Sequence, residues 1–180
     1  MSGQNWIGGT APAIDKVYVF AQILYREARY LDEYRYSDWL ELMDPDVHYH
    51  VPARRSFYVR EEARRVAPPY DTDHFDDDFE SLSLRAKRLQ RPGSSSLDPR
   101  PREIRQVSNV EVYATDTEGL WRVHSTIMLV RNRLLDLDES IAGRRADEWR
   151  EDATSGFKLV KRTVWISQNS ILLANMASLL

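Results

Sequence analysis

A chain of 180 residues with 42% hydrophobic content is long enough for one well-buried core and short for two, so a single domain is expected. It has no cysteine, which excludes disulfides, thiolate zinc sites, a thiol nucleophile and any iron–sulfur cluster held by this chain alone. The formal charge of −3 comes from 25 basic and 28 acidic residues mixed along the chain, so nothing draws it toward a polyanion and nucleic acid is not an expected partner.

Residues 1–12 read as a flexible tail: Met1 to Thr10 has neither the basic segment nor the apolar core of a signal peptide. The domain proper is expected over 13–180. The longest apolar run, Val17 to Leu24, already contains Gln22 and falls far short of the roughly twenty residues that cross a bilayer. No membrane contact is expected, and cytoplasm is the simplest compartment for a cysteine-free chain.

Ile14, Val17, Tyr18, Ala21, Tyr25, Ala28 and Leu31 recur at three- and four-residue steps, predicting an amphipathic helix from about Pro12 to Glu33 with Arg26, Glu27 and Arg29 on its wet side. Ser37 is a candidate N-cap for a short second helix through Trp39, Leu40 and Met43, which must stop at Asp44-Pro45. The first strand is expected over Asp46 to Val51, with Val47, Tyr49 and Val51 on one face and His48 and His50 on the other. Pro52 to Phe75 has no period and two adjacent prolines, Pro68-Pro69, and reads as an excursion with room for a turn of helix at Glu61 to Arg65. So long a stretch without period is uncommon in a small domain and is often functional.

Phe75, Phe79, Leu82, Ala86 and Leu89 predict a third helix. Asp76, Asp77, Asp78 and Glu80 open it and Arg85, Lys87, Arg88 and Arg91 close it, which suits the helix dipole better than a metal cluster does, because consecutive acids on a helix point apart. Pro92 to Pro101 is a turn-rich surface loop. Strand signals follow: Glu103 to Thr115, Leu120 to Arg133, a charged run from Leu134 to Asp152, and Phe157 to Ser167, with a turn at Ala153 to Gly156. In the central pair, Val110, Val112 and Ala114 alternate with Asn109, Glu111 and Tyr113, and Trp121, Val123, Ile127 and Leu129 share a parity. Strands of about eleven residues exceed the usual five or six, so the sheet must twist and curl around a space. Helices first and an antiparallel meander last is an α+β arrangement. The apolar ending SILLANMASLL needs a surface to cover it.

Several blocks carry a resemblance. They are Leu24-Tyr25-Arg26-Glu27-Ala28-Arg29-Tyr30-Leu31-Asp32, Trp39-Leu40-Glu41-Leu42 followed by Asp46-Val47-His48-Tyr49, and His74-Phe75-Asp76. Val107-Ser108-Asn109-Val110, Ala142-Gly143-Arg144-Arg145-Ala146-Asp147, Lys161-Arg162-Thr163-Val164, and Gln168-Asn169 with Leu173-Ala174-Asn175 continue them. As an ordered set, the chain resembles the small (beta) subunits of the bacterial Rieske-type aromatic-ring-hydroxylating dioxygenases. The resemblance implies N-terminal helices packed on a strongly curved, mixed or antiparallel sheet, a cone similar to nuclear transport factor 2 (cystatin-like). It implies assembly with a large alpha subunit and other beta subunits as alpha3beta3. The alpha subunit in that family carries a Rieske iron–sulfur cluster and a mononuclear Fe(II), with NADH as ultimate electron donor through a ferredoxin and a reductase. The beta subunit holds no cofactor and is mostly structural. The stretches Arg54 to Asp73 and Gly93 to Asp98 depart from the family's pattern and leave the aromatic substrate open.

Residue by residue, sharper readings compete with plainer ones. His48 and His50 with a carboxylate would make a two-histidine iron site, but strand alternation also pairs histidines without a ligand role, and spacing indicates no third ligand. His124, or His48, is the candidate general base of the rival reading, a stand-alone dehydratase or isomerase of the same cone fold with Tyr49 or Tyr113 nearby; the plainer reading is a packed histidine. A third alternative is a small-molecule binding protein. Of the 25 basic residues 21 are arginine, which suits interfaces, with a genomic bias toward arginine codons as the equal alternative. Arg102, Arg105, Arg144, Arg145, Trp149, Trp165, Leu179 and Leu180 are therefore the candidate subunit contacts, with core packing the alternative for the two tryptophans.

Overall fold

The computed structural model describes residues 14–53, 73–91, 99–133, 137–167 and 179–180. The expected N-terminal tail, the helical turn at Glu61 to Arg65, nearly all of the loop after Arg91 and most of the apolar ending lie outside the described residues. The elements are α1 (Ile14–Asp32), α2 (Tyr36–Leu40), β1 (Met43–Val51), β2 (Phe75–Asp77), α3 (Phe79–Gln90), β3 (Arg102–Ala114), β4 (Leu120–Arg133), β5 (Leu137–Asp152) and β6 (Gly156–Ile166). They form one open six-stranded sheet in the order β2-β1-β6-β5-β4-β3. β3 to β6 make the expected antiparallel meander. β6 then lies parallel to β1, and β2 closes that edge antiparallel, so the sheet is mixed.

One face of this sheet is covered by α1, and the phase of that helix differs from expectation. Phe20, Leu24, Glu27, Ala28 and Leu31 are buried, whereas Ile14, Tyr18 and Tyr25 stand exposed. The sequence pattern missed this because the buried stripe includes a glutamate, which any periodicity argument assigns to water. The second helix begins at Tyr36 without a side-chain cap, so Ser37 is not its N-cap. β1 starts at Met43 and carries Pro45 within an irregular stretch, where a missing N–H is tolerated. The third helix begins at Phe79 rather than Phe75. Asp78 caps it, accepting from the Ser81 N–H at 2.8 Å, while Asp76 and Asp77 belong to β2.

Two local features decide which side chains face inward. Between Ser108 and Glu111 the β3–β4 register slips, and Asn109 takes φ 53°, a left-handed conformation that asparagine tolerates better than most residues. This bulge switches the inward set from Glu103, Arg105 and Val107 to Val110 and Val112. On β5, a Cβ at Gly143 would meet Val164 Cγ1 at 3.2 Å and the Trp165 carbonyl oxygen at 3.3 Å, so glycine permits β6 to lie close. The core between helices and sheet contains Phe20, Leu24, Trp39, Tyr49, Val123, Trp149, Leu159 and Val164, all fully buried. Each such side chain contributes on the order of 1.5–3 kcal/mol through removal from water. Phe20 anchors one end, its ring centroid 4.7 Å from Phe157 and 6.2 Å from Trp149.

Candidate functional site

Along β5 and β6, charged residues interrupt an otherwise apolar inward parity: Arg145 and Asp147 stand with Ile141 and Trp149, and Arg162 with Val164 and Ile166. They meet Glu27 from α1. Arg162 donates Nε and Nη2 to the Asp147 carboxylate at 2.9 and 2.7 Å, and Nη2 also reaches Glu27 Oε2 at 2.9 Å. Arg145 donates Nη1 to Glu27 Oε2 at 3.3 Å and Nε to Ser125 at 3.0 Å, and Trp39 donates its indole N–H to Glu27 at 3.2 Å. All four charged side chains are no more than 1% exposed. Two cations and two anions cancel, which is what makes their burial tolerable.

Burial alone pushes the Glu27 carboxyl up, but the Arg162 and Arg145 guanidiniums beside it outweigh burial and hold it below its ordinary value. Arg162 is held well above its own: burial lowers it, while Asp147 and Glu27 raise it further. A proton shuttle needs a group that exchanges near neutrality with a substrate within reach. Here the carboxylates are saturated by arginines and the space is occupied by side chains. Leu180 completes the plug: its N–H donates to Tyr49 Oη at 3.0 Å, and its carbonyl oxygen accepts from Tyr49 and from Arg162. Arg105 holds the Leu179 carbonyl oxygen with two donors at 3.0 and 2.9 Å while pairing with Asp32 and Glu103.

The opposite face carries the histidines. His48 and His50 stack with ring centroids 5.8 Å apart, and each takes its own carboxylate: His48 meets Asp76 at 2.6 Å and His50 meets Asp73 at 3.0 Å. Strand pairing aligns His48, Lys161, Glu148 and Arg122 in one row and His50, Thr163, Ala146 and His124 in the next. Together with Pro52 and Trp165 they line an open groove of about 630 Å³. Burial holds His124 below the usual imidazole value, with Glu111 opposing and Arg122 assisting; its ring lies edge-on to Tyr113 at 6.0 Å.

These placements correct several expectations. His124 and His48 do not point into the cone interior, and Tyr49 is on the other side of the sheet from both. His48 and His50 engage separate carboxylates, and among the described residues no group of three His, Asp or Glu converges as a metal site. Of the candidate contacts, Arg105, Arg145, Trp149, Leu179 and Leu180 are buried within the chain itself and have no side-chain surface to offer. Arg102 and Arg144 are exposed and Trp165 is half-buried, all three on the outer face. Sequence reasoning missed Glu27, Asp147 and Arg162; the available signal was charge recurring on the apolar parity of two adjacent strands.

The sequence profile described as ring hydroxylating beta subunit matches residues 26–172. The chain belongs to that family. It is 34% identical to the benzene 1,2-dioxygenase subunit beta of Pseudomonas putida over 157 residues, covering 87% of this chain and 84% of the relative. It is 32% identical to the biphenyl 2,3-dioxygenase subunit beta of Rhodococcus jostii over the same shares. In three dimensions this beta-subunit chain superposes on naphthalene 1,2-dioxygenase with a TM-score of 0.81 at 24% identity, covering 89% of this chain and 83% of that one. A candidate scytalone dehydratase from Novosphingobium aromaticivorans shares the fold at TM-score 0.59 and 12% identity, covering 86% of each chain. The cone fold is therefore common to beta subunits and to proteins with a dehydratase name. Inside the cone of this beta subunit lies the ion-paired cluster of Glu27, Arg145, Asp147 and Arg162.

Proposed function

We propose that this beta subunit is a non-catalytic scaffold, and that the oxidative chemistry of its dioxygenase is carried by an alpha subunit. On this reading the alpha partner holds the Rieske cluster and mononuclear Fe(II). It cis-dihydroxylates an aromatic ring with molecular oxygen and electrons relayed from NADH by a ferredoxin and a reductase. The beta chains form the trimeric base of a cytoplasmic alpha3beta3 assembly. The observation that carries the reading is the interior cluster of Glu27, Arg145, Asp147 and Arg162, whose paired charges fill the space between α1 and the sheet and leave only Arg145 Nη2 without a hydrogen-bond partner. The absence of cysteine, which a Rieske centre requires, supports it.

The mating surface is the outer sheet face along β3 to β5. There Ile104, Met128 and Val130 are 68%, 44% and 44% exposed, flanked by Arg102 and Arg144, with Trp165 toward β1. An apolar centre rimmed by arginine is the composition of a protein interface. The test is to express the chain alone and with its alpha partner. The chain alone should contain no stoichiometric iron and turn nothing over, and the co-purified pair should oxygenate an aromatic substrate. Iron or turnover in the isolated chain contradicts the scaffold reading.

A further inference from the structure

We infer that the outward stripe of α1 pairs with the same stripe of a second copy of this chain, antiparallel about a two-fold axis. The stripe is the one whose period pointed to this chain's own core. Ile14, Tyr18, Ala21, Tyr25 and Ala28 follow one another at steps of four, three, four and three, the heptad spacing by which one helix packs along another. The fold turns α1 so that Phe20, Leu24, Glu27 and Leu31 are buried instead. Ile14, Tyr18 and Tyr25 are consequently 81%, 70% and 46% exposed, with Ala21 half-buried among them. This contact goes beyond the scaffold reading: it joins beta chains in pairs, whereas the trimeric base is three-fold, and it lies on the helical side of the sheet, away from the outer face of β3 to β5.

The occupant follows from size and charge. Tyr18, Ala21, Tyr25 and Ala28 alternate large with small, and such a row fits its own reverse. In one antiparallel register Tyr18 lies over Ala28 of the second copy and Tyr25 over its Ala21. The same register fixes the flank. Asp15, Gln22 and Arg29 recur every seven residues along the stripe's open edge, all exposed, and neither charge has an ion pair among the described residues. Reversal brings Asp15 to Arg29 of the second copy, twice, and Gln22 beside its own counterpart near the axis. A parallel pair would stack tyrosine on tyrosine and offer neither charge a mate. Ile14 is carried to the level of Asp32 of the second copy, where a recess of about 360 Å³ opens between α1 and β3. Asp32 is already held there by Arg105 at 2.6 Å, so Ala28 and Val107 are the apolar surface that receives the isoleucine.

The chain has no cysteine, so Gln22→Cys gives it a single thiol near the two-fold axis. A short bis-maleimide followed by a denaturing gel reads the pairing directly, in the full-length chain and in the co-purified complex. Lys87→Cys, exposed on α3, reports chance collision. One helix offers less than the roughly 800 Å² per partner of a standard interface, so the pairing is reversible and the covalent dimer should build up over micromolar concentrations, well above the Lys87→Cys yield. Asp15→Arg and Arg29→Asp, each added to Gln22→Cys, should lower the yield about tenfold by opposing like charges, and an equimolar mixture of the two should restore it to within about twofold. Tyr18→Glu should abolish the dimer while the circular dichroism stays that of wild type, because Tyr18 stands in water. A Gln22→Cys yield no higher than that of Lys87→Cys, a yield indifferent to the charge variants, or a mixture no better than its components overturns the inference. So does cross-linking that disappears in the co-purified complex, because the stripe then belongs to the alpha partner.

Discussion

On the inner face of β5 and β6, Arg145, Asp147 and Arg162 are within 1% exposure and close on Glu27. One residue further along the same strands, and on β4 beside them, Glu148, Lys161 and Arg122 stand in or near water, their one ion pair stretched to 3.8 Å. Both faces carry charged residues of both signs. What differs is the medium: buried charges must find each other with full hydrogen bonding, whereas exposed ones are screened and worth at most about 1 kcal/mol per pair. The inner face fixes its charges in buried pairs, and the outer face leaves them beside water.

The largest effect should come from removing one charge of the inner set. Glu27→Ala leaves Arg145 and half of Arg162 buried without their anion, a loss on the order of 3–5 kcal/mol. Glu148→Ala on the outer face should cost under about 1 kcal/mol. Urea unfolding of the two variants measures this; similar midpoints would erase the contrast between the faces. Next is pH. Glu27 is held below its ordinary 4.5, so its contribution to stability is complete above that value, declines as the pH falls beneath it and is gone once the pH passes below the lowered folded value. Wild type should therefore lose stability between neutral pH and pH 3 more steeply than Glu27→Gln, measured by thermal midpoint across that range. Parallel pH profiles would mean that the cluster does not hold Glu27 ionised.

A smaller effect is expected at the plug's end. Tyr49→Phe removes the hydroxyl that bonds the Leu180 N–H and carbonyl, costing about 1–2 kcal/mol. Hydrogen exchange at the Leu180 amide should rise in parallel; unchanged exchange would mean that the chain end is held without the tyrosine. Smallest is the outer face itself, where His48→Ala and His124→Ala should each change stability by no more than about 0.5 kcal/mol. A larger loss would move these histidines into the structural set.

Much of this was legible in the sequence and some was not, for definite reasons. The central pair β3 and β4 followed from alternation, and β4 came out at the expected bounds because its turn is marked by Gly119, with φ 73°. The family resemblance carried the fold. The phase of α1 was not legible because Glu27 is a charge on the buried stripe, and only the arginines of two distant strands reveal why. Arg105 read as a surface contact for the same reason, and because the bulge at Asn109 hides which parity faces inward before it. The start of α3 was displaced because Phe75 happens to lie one helical turn before Phe79 while pairing with Val51 in β2.

The most direct test of the scaffold account is the turnover per iron of the alpha-containing complex rebuilt with a beta chain carrying His48→Ala and His124→Ala together. The account predicts a rate within about twofold of wild type and unchanged assembly mass. A loss on the order of a hundredfold or more, the usual scale for a missing general acid or base, with the assembly intact, would contradict it.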